Sequence, residues 1–590
     1  MTSVSEFLAA RLRAWGVDRV FGLPGREVDA LVTALAGGTR VPEFVQTRHE
    51  ESAALMACAH AKLTARPGCC LAPSGAGALR LLSGLYDAAL DRQPVVALVG
   101  LEPVPARGGR RRAVPVAGLF AEASVYWEQL ADPALAADAL DRAVRAALGD
   151  GGVATLVLPR SVLEAEAVPR SAGGEEADAA PARFRPPVRP VEPADVRRAA
   201  DLLNGGRRVA VVLGPCGERV AGQVAGAAEL LAAGVAKTPL GRDALPDDLP
   251  YVAGVAAAFG GAPAAALLRE CDTLLLVGAH DFDAGLLPGT VRRRTVTVDV
   301  DADASPCGGD LPAAVRVTGD VDTALEALIP LLHRRDDRAW RADIERAVRE
   351  WRGDGRAKAR RMFGMAVNPR SVVSELSARL PDRAVVVTDS GSSLDWWTRH
   401  LELRNGMRAA LSGRLGVPGA AVPYAVAARL AFPDRPVVAL VGDGALQAGG
   451  MNELITVRRH RERLADLPPT VFCVLDNEDL NRLTWERRKA AGDPRIPVTG
   501  EVPAVSYAAF AELLGLPAVR CERPGEVASV WERALAGTGP MLLEFMVDGD
   551  TAPDWAWPDG TGGGRRPPLL TTLGSWRRRF ASSVGGAGSA

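Results

Sequence analysis

Lysine is nearly missing from this chain: Lys62, Lys237, Lys358 and Lys489 are the only four in 590 residues. Arginine takes its place, and the matching abundance of Ala, Gly and Val marks a compositional bias with little functional weight. Net charge is lacking too, because 70 basic side chains meet 71 acidic ones. A broad basic footprint for nucleic acid or anionic lipid is thereby excluded. The eight cysteines include no CxxC pair and no metal-like Cys/His cluster, which argues against a disulfide framework or a structural zinc. No run of about 18 uninterrupted apolar residues predicts a membrane span. The opening stretch MTSVSEFLAARLRAWGV sets apolar residues at helical spacing with arginines among them, as in an amphipathic helix and unlike a signal peptide. Reduced thiols and a cytoplasmic location are the expectation.

What is present is alternation. Short Val/Leu/Ala-rich runs repeat between longer helical patterns, the mark of parallel sheets covered by helices. A chain of this length exceeds one hydrophobic core, and the pattern divides into three doubly wound α/β domains. The first spans 1–163, with strand-like runs CCLAPSG, PVVALVGL and GGVATLVLPR, and a Pro/Ala/Glu-rich linker follows over 164–193. The second, 194–335, holds RRVAVVLGP, DTLLLVGAHD and RTVTVDVDAD. An arginine-rich helical link over 336–362 leads to the third, 363–551, with AVVVTDSGSS, RPVVALVGDGA and TVFCVLDNEDL. Residues 552–590, rich in Gly, Pro, Arg and Ser, are expected to form a flexible tail.

The most informative stretch is VVALVGDGALQAGGMNELITV, followed by VFCVLDNEDLN. One apolar strand delivers Asp443 to a Gly-Asp-Gly turn, and a later strand delivers Asn477. A carboxylate, an amide oxygen and a nearby main-chain carbonyl form an incomplete oxygen shell, of the kind magnesium fills with diphosphate oxygens and water. Glycines beside Asp443 let main chain approach phosphates closely. Alone, Gly442-Asp443-Gly444 is more often an ordinary turn after a strand. The Asn-bearing turn at the end of the next strand is what adds specificity.

These paired turns resemble the signature of thiamine-diphosphate enzymes. The 34 residues from Asp443 to Asn477 exceed the usual spacing, with the extra length in RRHRERLADLPP. The stretch EFVQTRHEESAALMACAHAKLTARPGCC closely resembles the N-terminal domain of acetolactate synthases and pyruvate oxidases. The similarity covers residues 4 to about 550 and is strongest to an acetolactate-synthase-like bacterial subgroup, through DSGSSLDWWTRHLELRNGMRAALSG, DNEDLNRLTWERRKAAGDP and LPDDLPYVAG. It implies a pyrimidine-binding domain, a central domain and a diphosphate-binding domain. It implies that Glu50 is the carboxylate that activates thiamine diphosphate, and that Asp443, Asn477 and the carbonyl of Asp479 hold Mg2+. Gly391, Ser392, Gly442, Gly444 and Ala445 are then cofactor contacts, with Pro418 under the cofactor's bend. Gly25 and Phe120 are placed at the substrate pocket, although Phe120 reads equally as a core aromatic. Without the resemblance, Glu50 at the start of a helix would be a capping or dipole residue, and Asp476 reads as structural.

The implied reaction is decarboxylation of pyruvate or a related 2-oxo acid, followed by joining to a second carbonyl compound. The implied assembly is a homodimer or homotetramer with active sites between subunits. A flavin (FAD) in the central domain stays open, since the acid in VDVDAD suits an adenosine and is also an ordinary strand end, while GxGxxG is absent. With flavin, a pyruvate oxidase is the alternative. Two departures leave open a relative that kept the fold without the chemistry. Ser74-Gly75-Ala76-Gly77 lacks the family's loop proline, and Pro418 stands where a methionine usually supports the cofactor.

Overall fold

Long runs of Val, Leu and Ala with no polar alternation form strands buried on both faces, as parallel sheets between helices require. The computed structural model describes residues 2–37, 41–102, 116–168, 184–292, 294–299, 313–361, 366–492 and 495–555. They build three parallel six-stranded sheets with flanking helices, as expected of three α/β domains. The first contains β1 (Arg19–Gly22), β2 (Glu43–Gln46), β3 (Gly68–Ala72), β4 (Val95–Leu101), β5 (Tyr126–Gln129) and β6 (Val153–Pro159), in the order β2-β1-β3-β4-β6-β5. The central sheet has β7 (Val209–Leu213), β8 (Gly234–Lys237), β9 (Val252–Val255), β10 (Thr273–Val277), β11 (Thr295–Asp299) and β12 (Val315–Thr318), ordered β12-β11-β10-β7-β8-β9. The third has β13 (Val385–Thr388), β14 (Arg408–Leu411), β15 (Val437–Gly442), β16 (Thr470–Asp476), β17 (Ala518–Cys521) and β18 (Pro540–Met546), ordered β14-β13-β15-β16-β18-β17.

The apolar runs singled out in the sequence form β3, β4, β6, β7, β10, β11, β13, β15 and β16. Most strands that escaped notice are four residues long, and β5 and β12 alternate in burial as sheet edges do. The winding order of the sheets reverses between β1 and β3, between β7 and β10, and between β13 and β15. The crevice outside the carboxyl ends of strands at such a reversal is where open α/β sheets take ligands.

The first and third domains share one core. The helix Glu50–Thr64 packs against the helix Ala421–Ala431, and both are rich in small side chains that permit close approach. Buried ion pairs tie the remaining seams. Lys237 reaches Asp247 at 2.9 Å, Arg242 pairs with the same carboxylate, and Asp247 accepts the Leu403 N–H at 2.7 Å. The helix Ala339–Ala359 bridges the second and third domains, with Ile344 and Val348 in the central core. The expected tail falls outside the described residues beyond Trp555, as do residues 169–183 of the expected linker. Among the described residues no helix is long and apolar enough to cross a membrane.

Candidate active site

β15 and β16 are neighbours in register, Gly442 opposite Leu475, so their ends deliver Asp443 and Asn477 side by side. Asp443 is buried, and its carboxylate clasps both turns. Oδ1 accepts the Gly444 N–H at 2.7 Å and Oδ2 accepts the Asn477 N–H at 3.0 Å. Asn477 Oδ1 accepts the Asp479 N–H at 3.1 Å. Between them Glu478 adopts a left-handed φ of 52°, the kind of uncommon conformation that a tight functional turn retains. The Asp479 carboxylate is engaged by Thr484 at 3.1 Å, Asn481 at 3.2 Å and Arg495 at 3.1 Å, so a cation would fall to its main-chain oxygen. That oxygen also accepts the Asn481 N–H at 2.6 Å. Burial, then the charge of Asp443, pushes the Asp476 carboxyl up to about 7.

The donor set fits magnesium: one carboxylate, one amide oxygen and one carbonyl, all hard oxygens and too few for a complete shell. A cation held by so few protein oxygens needs diphosphate oxygen and water to complete its shell. The diphosphate also has space. A Cβ at Gly442 would meet nothing within 4 Å, nor would one at Gly391, whose φ is +86°. These glycines end β15 and precede the helix Ser392–His400 after β13, on the two sides of the reversal. Gly444, by contrast, backs onto Leu480, 2.6 Å from its would-be Cβ.

Pro418 sits on a loop held by Asp389, whose carboxylate accepts the N–H of Ser390 at 2.9 Å, of Gly419 at 3.0 Å and of Ala421 at 3.2 Å. Burial pushes this carboxyl up to about 7. A Cβ at Gly419 would stand 2.7 Å from Gly449 Cα, so the loop rests main chain to main chain on a π turn, Leu446–Gly450, that follows Asp443–Ala445. π turns concentrate at functional sites. Pro418 itself is exposed in the chain, beside the 41% exposed Leu415.

Glu50 opens the helix Glu50–Thr64, N-capped by His49, whose Nδ1 accepts the Glu51 N–H at 3.3 Å. Glu50 is 5% exposed, and its Oε2 has no hydrogen-bond partner. Arg80 Nη1 stands 3.7 Å from that oxygen. A buried carboxylate oxygen left open is costly without a ligand, and its presence fits the aminopyrimidine of thiamine. The loop from Pro73 to Gly77 lies against it: a Cβ at Gly77 would stand 2.9 Å from Glu50 Oε1, and one at Gly25 only 2.4 Å from Pro73 Cβ. Ala76 is the first residue of the helix Ala76–Leu90, a position where proline is favoured but not required, so its loss leaves the loop intact. Phe120 is fully buried in the shared core, the placement of a core aromatic.

No hydrogen bond or ion pair among the described residues joins Glu50 to the Asp443 turn. What does join the two domains was not apparent in the sequence. Glu453 is fully buried and accepts the Arg48 N–H at 2.9 Å, two residues before Glu50. At the far end of the same helix, Lys62 donates to Asp91 at 2.6 Å, to the Leu411 carbonyl at 2.7 Å and to the Tyr424 hydroxyl at 2.8 Å. Its rarity as a lysine was the only available signal. In the central domain Asp299 stands 3.6 Å from Arg92, while Asp301 and Asp303 lie outside the described residues. The loops after β7 and β10 touch, a Cβ at Gly214 falling 2.0 Å from the Gly278 carbonyl oxygen.

The chain was compared with known proteins. It matches the family models described as thiamine pyrophosphate enzyme, N-terminal TPP binding domain, over residues 2–122, central domain over 196–328, and C-terminal TPP binding domain over 389–545. It is 28% identical over 547 residues to the putative thiamine pyrophosphate-containing protein YdaP of Bacillus subtilis, covering 92% of both chains. It is 29% identical to the acetolactate synthase isozyme 2 large subunit of Escherichia coli, over 92% of this chain and 95% of that one. With the pyruvate oxidase of Lactiplantibacillus plantarum it shares 24% identity, over 91% and 87%. With all three domains matched in order and each folded as its own parallel sheet, the chain belongs to the thiamine pyrophosphate enzyme family.

Proposed function

We propose that this protein decarboxylates pyruvate or a related 2-oxo acid and joins the remaining fragment to a second carbonyl compound, using thiamine diphosphate and Mg2+. The observation that carries the reading is the buried Oε2 of Glu50, which has no hydrogen-bond partner and only the Arg80 guanidinium 3.7 Å away. A carboxylate in that state suits a hydrogen bond to the aminopyrimidine and transfer of its proton. Asp443, Asn477 and the Asp479 carbonyl would hold the cation, and Gly391, Ser392, Gly442, Gly444 and Ala445 the diphosphate. Pro418 offers an apolar wall, and the Gly25 loop borders the substrate. Bound thiamine diphosphate would supply the electron sink that lets carbon dioxide leave.

The active site would form between two subunits of a homodimer or homotetramer, Glu50 from one and Asp443 from the other. Supporting this, Leu480 (39% exposed), Leu483 (44%), Ile496 (41%) and Val498 (97%) lie close in sequence to the Asn477 turn. Apolar exposure of this kind beside a site marks contact surface. The test is to incubate the purified protein with thiamine diphosphate, Mg2+ and a panel of 2-oxo acids. Carbon dioxide release is expected, reduced at least about 100-fold by Glu50→Gln. Absence of release from every substrate refutes the reading, and coupled oxygen or quinone consumption would instead place the protein with flavin-linked oxidases.

A further inference from the structure

The loop after β1 carries a second carboxylate into the crevice that Glu50 borders. Glu27 follows Gly25 by two residues and is half-buried. Its Oε1 accepts a hydrogen bond from Ser74 Oγ at 2.8 Å, and among the described residues it has no ion pair. Ser74 belongs to the loop after β3, so the bond spans the reversal between β1 and β3. The same loop touches both acids. Pro73 lies 2.4 Å from the would-be Cβ of Gly25 and 2.8 Å from that of Gly77, which in turn stands 2.9 Å from Glu50 Oε1. On the far side, a Cβ at Gly100 would stand 2.9 Å from Glu27 Cβ, so this segment leans across the end of β3 toward β4. Glycine at positions 25, 77 and 100 thus lets these segments close on one another, with the Pro73 ring packed between Gly25 and Gly77.

We infer that Glu27 is a specificity residue that selects the acceptor by charge, favouring a neutral aldehyde over one bearing its own carboxylate. The inference rests on the reading under Proposed function. On that reading Glu50, which Arg80 approaches at 3.7 Å, serves the cofactor ring, and Glu27 is the neighbouring carboxylate with no ion pair among the described residues. In the joining step one carbon-carbon bond forms at the acceptor carbonyl carbon, and the carbonyl oxygen takes up a proton. An acceptor carboxylate brought near Glu27 meets like-charge repulsion in a poorly solvated space, while a neutral acceptor does not. Any effect of Glu27 on the donor is common to both products and cancels in their ratio.

The test uses the full chain loaded with thiamine diphosphate and Mg2+, with a donor that the wild type decarboxylates. Butanal and 4-oxobutanoate, which differ in one carboxylate, compete as acceptors, and the product ratio is read by mass spectrometry. Glu27→Gln keeps an acceptor oxygen for Ser74 and should shift the ratio toward the 4-oxobutanoate product on the order of tenfold, while Glu27→Asp keeps the wild-type preference. In parallel, calorimetric titration with succinamate, the unreactive amide analogue of 4-oxobutanoate, should show binding on the order of tenfold tighter in Glu27→Gln. Glu27→Ser, also neutral, serves if the glutamine variant does not fold. Unchanged ratio and unchanged succinamate affinity in a neutral variant that melts as the wild type does would overturn the assignment. If the wild type releases no carbon dioxide from any donor, the reading under Proposed function fails instead, and the succinamate arm still decides whether Glu27 repels a carboxylate in this crevice.

Discussion

His60 lies in the helix Glu50–Thr64 with both ring nitrogens buried and unpartnered. Burial, then the nearby Arg19 charge, pushes its pKa down from 6.5 to about 4. The ring stays neutral in the folded chain and takes a proton on unfolding below pH 6.5, so its contribution is full above pH 6.5 and is lost as pH falls toward 4. His60→Leu should therefore remove about 2 kcal/mol of the stability difference between pH 7.5 and pH 5. Urea unfolding of both proteins at the two pH values measures it, and equal pH dependence would contradict the argument. At this scale the sequence was readable where chemistry demands a rare pairing, as at Asp443 and Asn477. It was silent at Arg80, Glu453 and Asp389, because their neighbours come from segments remote in the chain.

The helix Glu50–Thr64 as an element joins the cofactor end to the domain seam. Lys62, near its C-terminus, meets Asp91 at 2.6 Å and Asp87 at 3.8 Å, with Tyr424 donating to Asp87 and Ser412 to the same carboxylate at 2.6 Å. Burial opposes the ammonium charge, but Asp87 and Asp91 outweigh it and raise the pKa of Lys62. Lys62→Met would leave two buried carboxylates uncompensated, at a cost of about 3–5 kcal/mol. A lowered urea midpoint with an unchanged m-value is the expected result, and a midpoint equal to wild type would sink the argument. The apolar, Ala-rich pattern made this helix legible. Its closeness to neighbours depended on distant glycines: a Cβ at Gly84 would fall 2.7 Å from the Glu51 carbonyl oxygen, and one at Gly68 2.1 Å from that of Ala57.

For the whole molecule, the proposed sharing of each site between two subunits predicts complementation. Co-expressed Glu50→Gln and Asp443→Ala chains, each inactive alone, would pair at random, and half the dimers would carry both kinds. Each mixed dimer has one site with intact Glu50 and intact Asp443, so about a quarter of wild-type activity should return. Carbon dioxide release by the purified mixture reads this directly. No recovery from demonstrably mixed oligomers would place both residues in one subunit's site.

The sequence by itself determined the three sheets, because interior parallel strands must be continuously apolar and so announce themselves as β4, β7, β10, β15 and β16. It also pointed to the turns proposed to hold the metal, since Asp443 and Asn477 each end such a strand. Tertiary structure alone decided that these two strands are neighbours, that Glu27 and Glu50 share the loop from Pro73 to Gly77, and that Lys62 spans two domains. Those contacts join residues tens to hundreds of positions apart. Local periodicity fixes which face of an element is buried, whereas only the packing of one element on another fixes what that face meets.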